Sequence, residues 1–416
     1  MQNVHVNSEI GFLEGVIIHT PGQEVEKMTP GNAERALYSD ILNLSVAAAE
    51  YSQFKAVLNK QCKTFEVKDL LTDILSDPLI KNKLLRKICQ SEGVPDLLDA
   101  LLCLDNQETA RQLIEGVELT RDNLSRYLSD ERYSLKPLHN FLFTRDASMS
   151  IFNKVLIGKM ASNVRHRETV IMESIFEHHP DFRVETLNAA NEVLPELLAQ
   201  IKIEGGDVLI ARHDVLVIGT GVRTSAKGID FIIETLKAGK GGTQHVIVQE
   251  LPETPESFIH LDMVFTLLDN DSCMVYEPLI MRHNRFRTIH IVIDNGKVKS
   301  ISTEESLLSA LRKVGMDLNP IMCGGDDNWH QEREQWHSGA NFLALAPGVV
   351  IGYERNNYTA ETLHKNGFKI VKATELIKKN LPIPDSKALI TIAGAELARG
   401  GGGARCMSMP VKRREV

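Results

Sequence analysis

The stretch Asp69–Asp130 reads DLLTDILSDPLIKNKLLRKICQSEGVPDLLDALLCLDNQETARQLIEGVELTRDNLSRYLSD. Leucine recurs at steps of three and four, Asp, Glu, Lys and Arg fill most other positions, and β-branched residues are few. This is the spacing of helices that each carry one apolar stripe. Pro78, Gly93-Val94-Pro95 and Gly116 interrupt it, so the pattern predicts several short helices packed as a bundle. The flanks have a different character. Upstream, Gly15–His19 (GVIIH) is a short apolar run ending at Thr20-Pro21-Gly22, the mark of a buried strand and a turn. Leu37, Ile41, Leu44, Ala48, Tyr51 and Phe54 then mark one face of a helix, and Thr64–Val67 a second strand.

Downstream of Pro137, strands are expected at Ser148–Ile157, Val208–Ile210, Val215–Ile218, His245–Gln249, Met274–Tyr276, Ala344–Leu345, Val349–Tyr353 and Lys369–Val371. Helices are expected at Arg167–His178, Ser225–Lys237, Thr303–Val314 and Ala360–Asn366. Strands and helices alternating at short intervals define an α/β or α+β body. The bundle then reads as an insertion, dividing the chain into 1–67 with 136–416, and 68–135.

The whole chain has 416 residues, 43% hydrophobic and 25% charged, an ordinary globular composition. Its net charge of −8, from 47 basic and 55 acidic residues, disfavours broad binding to nucleic acid or anionic membranes. Six cysteines are scattered with no CxxC pair, too sparse for a disulfide scaffold. The N-terminus MQNVHVNSEIGFLEG lacks the charged and apolar regions of a signal peptide. No run approaches the roughly 18 to 20 apolar residues of a membrane span; Phe342–Tyr353 is broken by Pro347-Gly348. These features point to a reducing, cytoplasmic compartment. No GxGxxG or GxxxxGK[ST] motif is present, and Gly400–Gly403 is followed by no helix, so it reads as a flexible turn. The terminal Lys412-Arg413-Arg414 cluster reads as a solvated tail.

Four stretches carry candidate chemistry. In IHLDMVF, Ile259–Phe265, strand alternation puts His260, Asp262 and Val264 on one face; a His–Asp pair on a solvated edge fits the same pattern. In IEGGDVLI, Ile203–Ile210, Glu204 and Asp207 flank two glycines that can aim both carboxylates into one cavity; a polar turn before a strand is the plainer reading. NFLFTRDASMSI, Asn140–Ile151, sets Arg145 and Asp146 beside Phe141 and Phe143. GGGGARCMSMP, Gly400–Pro410, places Cys406 after a glycine loop with Arg405 next to it, features that suit a reactive thiolate; a buried small hydrophobe, the usual state of a lone cysteine, fits as well. A fifth region, CGGDDNWHQEREQWHSGANF, holds Cys323, Asp326, Asp327, His330, Glu332 and His337, but matches neither a CxxC frame nor HExxH, so it reads as a packed polar network.

A thiol, an imidazole and several carboxylates together suit a cationic substrate. Paired carboxylates match a planar guanidinium through bidentate hydrogen bonds. A thiolate attacking the guanidinium carbon, with histidine moving protons, is coherent covalent catalysis.

At this point the sequence resembles the arginine deiminase family of the guanidino-group modifying superfamily. The resemblance runs in order through Thr20-Pro21-Gly22, Leu37, FTRD, EGGD, HLD, REQW and RCMSMP. It implies an α/β fold: a five-bladed β/α propeller of pseudo-fivefold symmetry with an inserted helical bundle. It implies hydrolysis of L-arginine to L-citrulline and ammonia without metal or organic cofactor, and a homo-oligomer, dimer or tetramer. It assigns Cys406 as nucleophile, His260 as general acid/base, Glu204 as its partner, and Asp146 and Asp262 as holders of the guanidinium. Arg165 and Arg223 fall where the family binds the substrate carboxylate, Asn140 and Phe143 where it makes further contacts, and Asp207 at the second acid of EGGD, in support. Ser39 stands where many relatives have an acid, Asn43 where a residue is often aromatic, and His337-Ser338 where an acidic or amide pair follows REQW. Gly401 stands where some relatives carry Arg in a gating loop. Agmatine or a methylated arginine as substrate, or non-catalytic arginine binding, are the alternatives.

Overall fold

Short runs of Val, Ile and Leu bounded by Gly, Asn or Asp make strands too short to stand alone, and among the described residues they gather into six sheets. The computed structural model describes residues 4–29, 40–182, 184–238 and 242–416; Leu37 and Ser39 lie outside them. The fold is mixed α/β.

One unit recurs: two antiparallel strands, a helix, and a strand returning parallel to the second. Ser148–Ile151 and Lys154–Ile157 form such a pair, helix His166–His178 follows, and Thr186–Leu187 returns. Val208–Arg212 and Val215–Thr220 repeat it with helix Ala226–Lys237 and Thr243–Glu250. Phe265–Asp269 and Ser272–Val275 repeat it with helix Leu307–Lys313 and Asn319–Met322. Leu343–Ala346 and Val349–Tyr353 repeat it with helix Asn357–Lys365 and Ala388–Ile392, Lys369–Lys372 being added outside. The remaining unit joins both chain ends: Met409–Arg413 lies antiparallel to Leu13–Ile18, and Lys63–Glu66 returns parallel after helix Leu44–Gln61.

The helix-rich stretch forms Val67–Ile74, Pro78–Ser91, Leu98–Cys103 and Asn106–Glu115. Asp77 caps the second, accepting from the N–H of Leu79, with Pro78 at its first position, where a missing N–H costs nothing. Its apolar stripe, including Leu71, Leu85 and Ile88, shares one continuous core with Phe141, Val155, Ile171 and Phe176 of the α/β body. Asn43 caps helix Leu44–Gln61 through Val46 N–H, a role an aromatic residue could not fill.

Four expectations are corrected. Ser148–Ile157 is not one strand but a hairpin of Ser148–Ile151 and Lys154–Ile157 that turns at Phe152-Asn153. Ile259–Phe265 is not a strand: Leu261–Met263 is a single 3-10 turn, and the strand starts at Phe265. Thr303–Val314 is not one helix: Lys297–Glu304 is a strand, and the helix opens at Leu307 under a Ser306/Ser309 capping box. Lys412-Arg413-Arg414 is not a solvated tail. Arg413 is a buried strand residue donating to Gly11 O at 2.6 Å, while Lys412 and Arg414 both reach Glu14. Pairing with Leu13–Ile18 is what draws this basic segment into the sheet. Among the described residues no helix is long and apolar enough to cross a membrane.

Candidate active site

Each recurring unit contributes from the same place, the segment entering its first strand. Asp146 sits in the helical turn Thr144–Ala147 before Ser148–Ile151. Glu204 and Asp207 bracket the turn before Val208–Arg212. His260 and Asp262 precede Phe265–Asp269, Asn341 precedes Leu343–Ala346, and Cys406 precedes Met409–Arg413. The five segments converge, so residues far apart in sequence meet.

His260 faces Glu204 Oε2 at 3.0 Å through Nε2, and its Nδ1 lies 3.7 Å from Asp146 Oδ1. This approach requires glycine at 206, where a Cβ would fall 2.5 Å from the imidazole ring. Cys406 Sγ accepts from Asn341 Nδ2 at 3.2 Å and lies 3.6 Å from Asp262 Oδ2. Asn341 Oδ1 accepts from the backbone N–H of Arg405 and of Cys406, at 3.0 and 3.1 Å, and so fixes the thiol-bearing turn. Gly402 packs flat on Phe143, whose ring would stand 2.4 Å from any Cβ there. Gly401 has φ +81°, so a side chain at this loop position would be strained.

The chain's own arginines neutralise one oxygen each of Asp146 and Asp262. Arg165 Nη1 donates to Asp146 Oδ2 at 2.7 Å, and its other nitrogens reach Glu168 and Phe143 O. Arg405 Nη1 donates to Asp262 Oδ2 at 2.8 Å, and Glu9 holds its Nε and Nη2 at 3.0 and 3.1 Å. Asp146 Oδ1, Asp262 Oδ1 and Asp207 Oδ2 remain buried with no hydrogen-bond partner in the protein. Buried carboxylate oxygens are costly to leave unpaired, and the Asp146 and Asp262 atoms mark where a cationic ligand with N–H donors belongs.

Charge sets the protonation states. Burial pulls the His260 imidazolium down, but Asp146, Glu204 and Asp207 outweigh it and lift its pKa to about 9. Burial lifts Glu204, yet the His260 hydrogen bond and the Arg223 and Arg165 charges win and hold it at about 2. Asp207, whose Oδ1 accepts Leu261 N–H, is raised by burial to about 7. Burial, then Asp262 and Asp146, push the Cys406 thiol well above its usual range. The neighbouring Arg405 does not offset this, because its charge is committed to Glu9 and Asp262.

The structure thus brings together Cys406, His260, Glu204, Asp146, Asp262 and Asp207, with Asn140 and Phe143 contributing buried carbonyls to Arg165 Nη2. Arg223, 15% exposed, approaches Glu204 Oε1 at 3.7 Å. His337 stands apart, against Arg355. Sequence reasoning missed Asn341, Glu168 and Glu9. Asn341 lay within the quoted polar region, in SGANF, and its position just before an apolar strand, like that of the EGGD acids, was the available signal. Among the described residues no group of three or more His, Cys, Asp or Glu side chains is arranged to hold a metal ion.

The fold is shared with SxtG, an amidinotransferase of Microseira wollei, at a TM-score of 0.55 and 14% identity, over 100% of this chain and 98% of that one. It is equally shared with the product-bound N-terminal domain of ArgZ, a cyanobacterial arginine dihydrolase, at 0.53 and 14%, over 96% and 97%. These define the fold class. At the sequence level, the arginine deiminase family model matches residues 34–413. Proteins named arginine deiminase from Bacillus cytotoxicus and Borrelia recurrentis are 32% and 33% identical, over 99% and 100% of this chain and 99% of each relative. The chain belongs to the arginine deiminase family.

Proposed function

We propose that the chain hydrolyses L-arginine to L-citrulline and ammonia through a covalent Cys406 intermediate, in arginine catabolism by the arginine dihydrolase pathway. The observation that carries this reading is the pair of half-free, buried carboxylates, Asp146 and Asp262, flanking a buried thiol and a protonated imidazole.

The guanidinium docks its N–H groups on Asp146 Oδ1 and Asp262 Oδ1. Its positive charge offsets the two carboxylates that hold the thiol protonated, so the Cys406 proton passes to solvent water as substrate binds, His260 being already protonated. The thiolate forms a bond to the guanidinium carbon. His260, charged below about pH 9, donates its proton to the departing nitrogen, and ammonia leaves a thiouronium on Cys406. Neutral His260, held by Glu204, then takes a proton from water as the oxygen attacks. Collapse breaks the carbon–sulfur bond, the hydroxyl proton passes to the departing sulfur to restore the thiol, and citrulline is released. The steps use the chain's own groups and water.

Arg223 binds the substrate carboxylate, and Asn140 and Phe143 shape the approach. Arg165, expected to share that role, has its guanidinium taken up by Asp146, Glu168 and the carbonyls of Asn140 and Phe143 and instead holds Asp146 in place. Agmatine has no carboxylate, so Arg223 separates the readings: Arg223→Ala raises KM for arginine sharply, and an unchanged KM counts against arginine as substrate. The five recurring units support a five-bladed β/α propeller of pseudo-fivefold symmetry, with 68–135 as an inserted helical bundle on its side. We place the protein in the cytoplasm as a homo-oligomer, dimer or tetramer. The deciding experiment is a colorimetric citrulline assay on purified protein with L-arginine under reducing conditions. Citrulline is expected; its absence overturns the proposal.

A further inference from the structure

The hairpin Thr288–Asp294/Lys297–Glu304 departs from the connection between Ser272–Val275 and Asn319–Met322 and attaches to the neighbouring unit, whose sheet becomes five-stranded. Its outer strand is unusual. Residues 297–303 are all exposed, on both faces, and only Glu304 is buried. Ile301 is 65% and Val298 40% exposed. Among the described residues this strand pairs only with Thr288–Asp294, so its other edge offers unpaired N–H and C=O groups. Edges of this kind are templates for a further strand.

The charge pattern selects the occupant. Lys297–Glu305 reads KVKSISTEE, basic at one end and acidic at the other. A copy laid parallel sets lysine against lysine. A copy laid antiparallel about Ile301 sets Ile301 opposite Ile301, Ser300 opposite Ser302, Lys299 opposite Thr303 and Lys297 opposite Glu305. Lys299 and the ladder irregularity beside it lie at the turn end. They blunt the edge toward other strands, while Ser300–Glu304 keeps regular register with Thr288–Val292. Within its own chain Lys299 reaches Asp294 only at 3.9 Å. Opposite charges and apolar residues facing across strands stabilise a pair, and like charges oppose it.

We propose that Lys297–Glu304 is the self-association edge of this protein. A second copy of the chain pairs the same strand antiparallel across a two-fold axis at Ile301, joining two five-stranded sheets. The contact is isologous, closing at a dimer or serving as one interface of a larger assembly.

The test is sedimentation of the full chain over a range of concentrations. Wild type is expected to associate. Ile301→Lys, at a solvent-facing position where circular dichroism verifies the fold, is expected to weaken association at least about tenfold, about 1.4 kcal/mol. Lys297→Glu weakens it by setting acid against Glu305, and Lys297→Glu with Glu305→Lys restores it. Hydrogen exchange at 298–303 slows in the associated state. The inference rests on the proposed self-association: a wild type that stays monomeric throughout overturns both. An oligomer indifferent to Ile301→Lys and Lys297→Glu overturns the strand assignment alone. A double variant no better than Lys297→Glu overturns the antiparallel register.

Discussion

Two buried polar clusters in this molecule each set a cysteine near a carboxylate and differ in what those carboxylates leave unmet. Around Glu334, a buried cysteine, Cys323, sits beside a carboxylate whose oxygens are all used. Oε1 accepts Tyr358 N–H at 2.9 Å, and Oε2 accepts Thr359 N–H at 2.7 Å and its hydroxyl at 2.6 Å. Cys323 touches Thr359 Oγ1 at 3.6 Å, and burial raises its thiol to about 12. Around Cys406, three carboxylate oxygens have no partner in the protein, and an imidazole is held charged by acids it only partly contacts. The first cluster joins helix Asn328–Trp336 to helix Asn357–Lys365. The second leaves carboxylate oxygens buried and unpaired beside a charged imidazole, an arrangement costly in a closed network.

The comparison breaks most sharply at the two thiols. Cys406→Ser should lower kcat by at least about 10⁴-fold, the scale of losing a covalent nucleophile, whereas Cys323→Ser should leave turnover within a few fold; citrulline release measures both. Next, His260→Ala should lower kcat by about 10² to 10⁴. In wild type, kcat/KM should fall as pH rises through about 9, where the ligand-free protein loses the acid needed to expel ammonia. The same sign governs stability. The folded-state pKa of His260 is raised from 6.5 to about 9, so its contribution is fully present below about pH 6.5 and lost as pH rises through about 9. The alkaline limb of thermal stability should therefore flatten in His260→Ala.

The reverse effect is expected at the structural cluster. Glu334→Ala leaves two backbone N–H groups and a hydroxyl unpaired, and should destabilise by roughly 1 to 3 kcal/mol or more, since each buried group left unsatisfied costs about that much. Thermal unfolding reads this, with activity per folded molecule preserved. Smallest in turnover is Arg223→Ala. It should raise KM for arginine far more than for agmatine, which lacks the carboxylate, with a modest fall in kcat for both from the charge lost beside Glu204.

Much of this was legible in the sequence. The apolar runs at Val349–Tyr353 and Val215–Ile218 fall within or coincide with observed strands because their length and turn boundaries allow little else. EGGD, HLD and RC each kept a plain structural reading when taken alone, and their order along the chain, through the family resemblance, is what tied them into one candidate site. IHLDMVF misled, because alternation also arises in a turn that presents His260 and Asp262 by a 3-10 bend. The hairpin at 288–304 was hidden: its outer strand is exposed on both faces and lacks the alternation that burial imposes. The repeat escaped notice because each unit keeps its topology while varying its connections, one of which lends a hairpin to a neighbouring sheet. Glu9, Glu168 and Arg413 could not be read as buried, since their partners lie far away in sequence or in another element.

The most direct measurement of the central claim is rapid-quench mass spectrometry of wild-type protein turning over L-arginine, with peptide mapping of the adduct. The account requires an amidino-type adduct on the Cys406 peptide that forms before citrulline and decays as citrulline accumulates. A kinetically competent adduct carried by any other residue would contradict it.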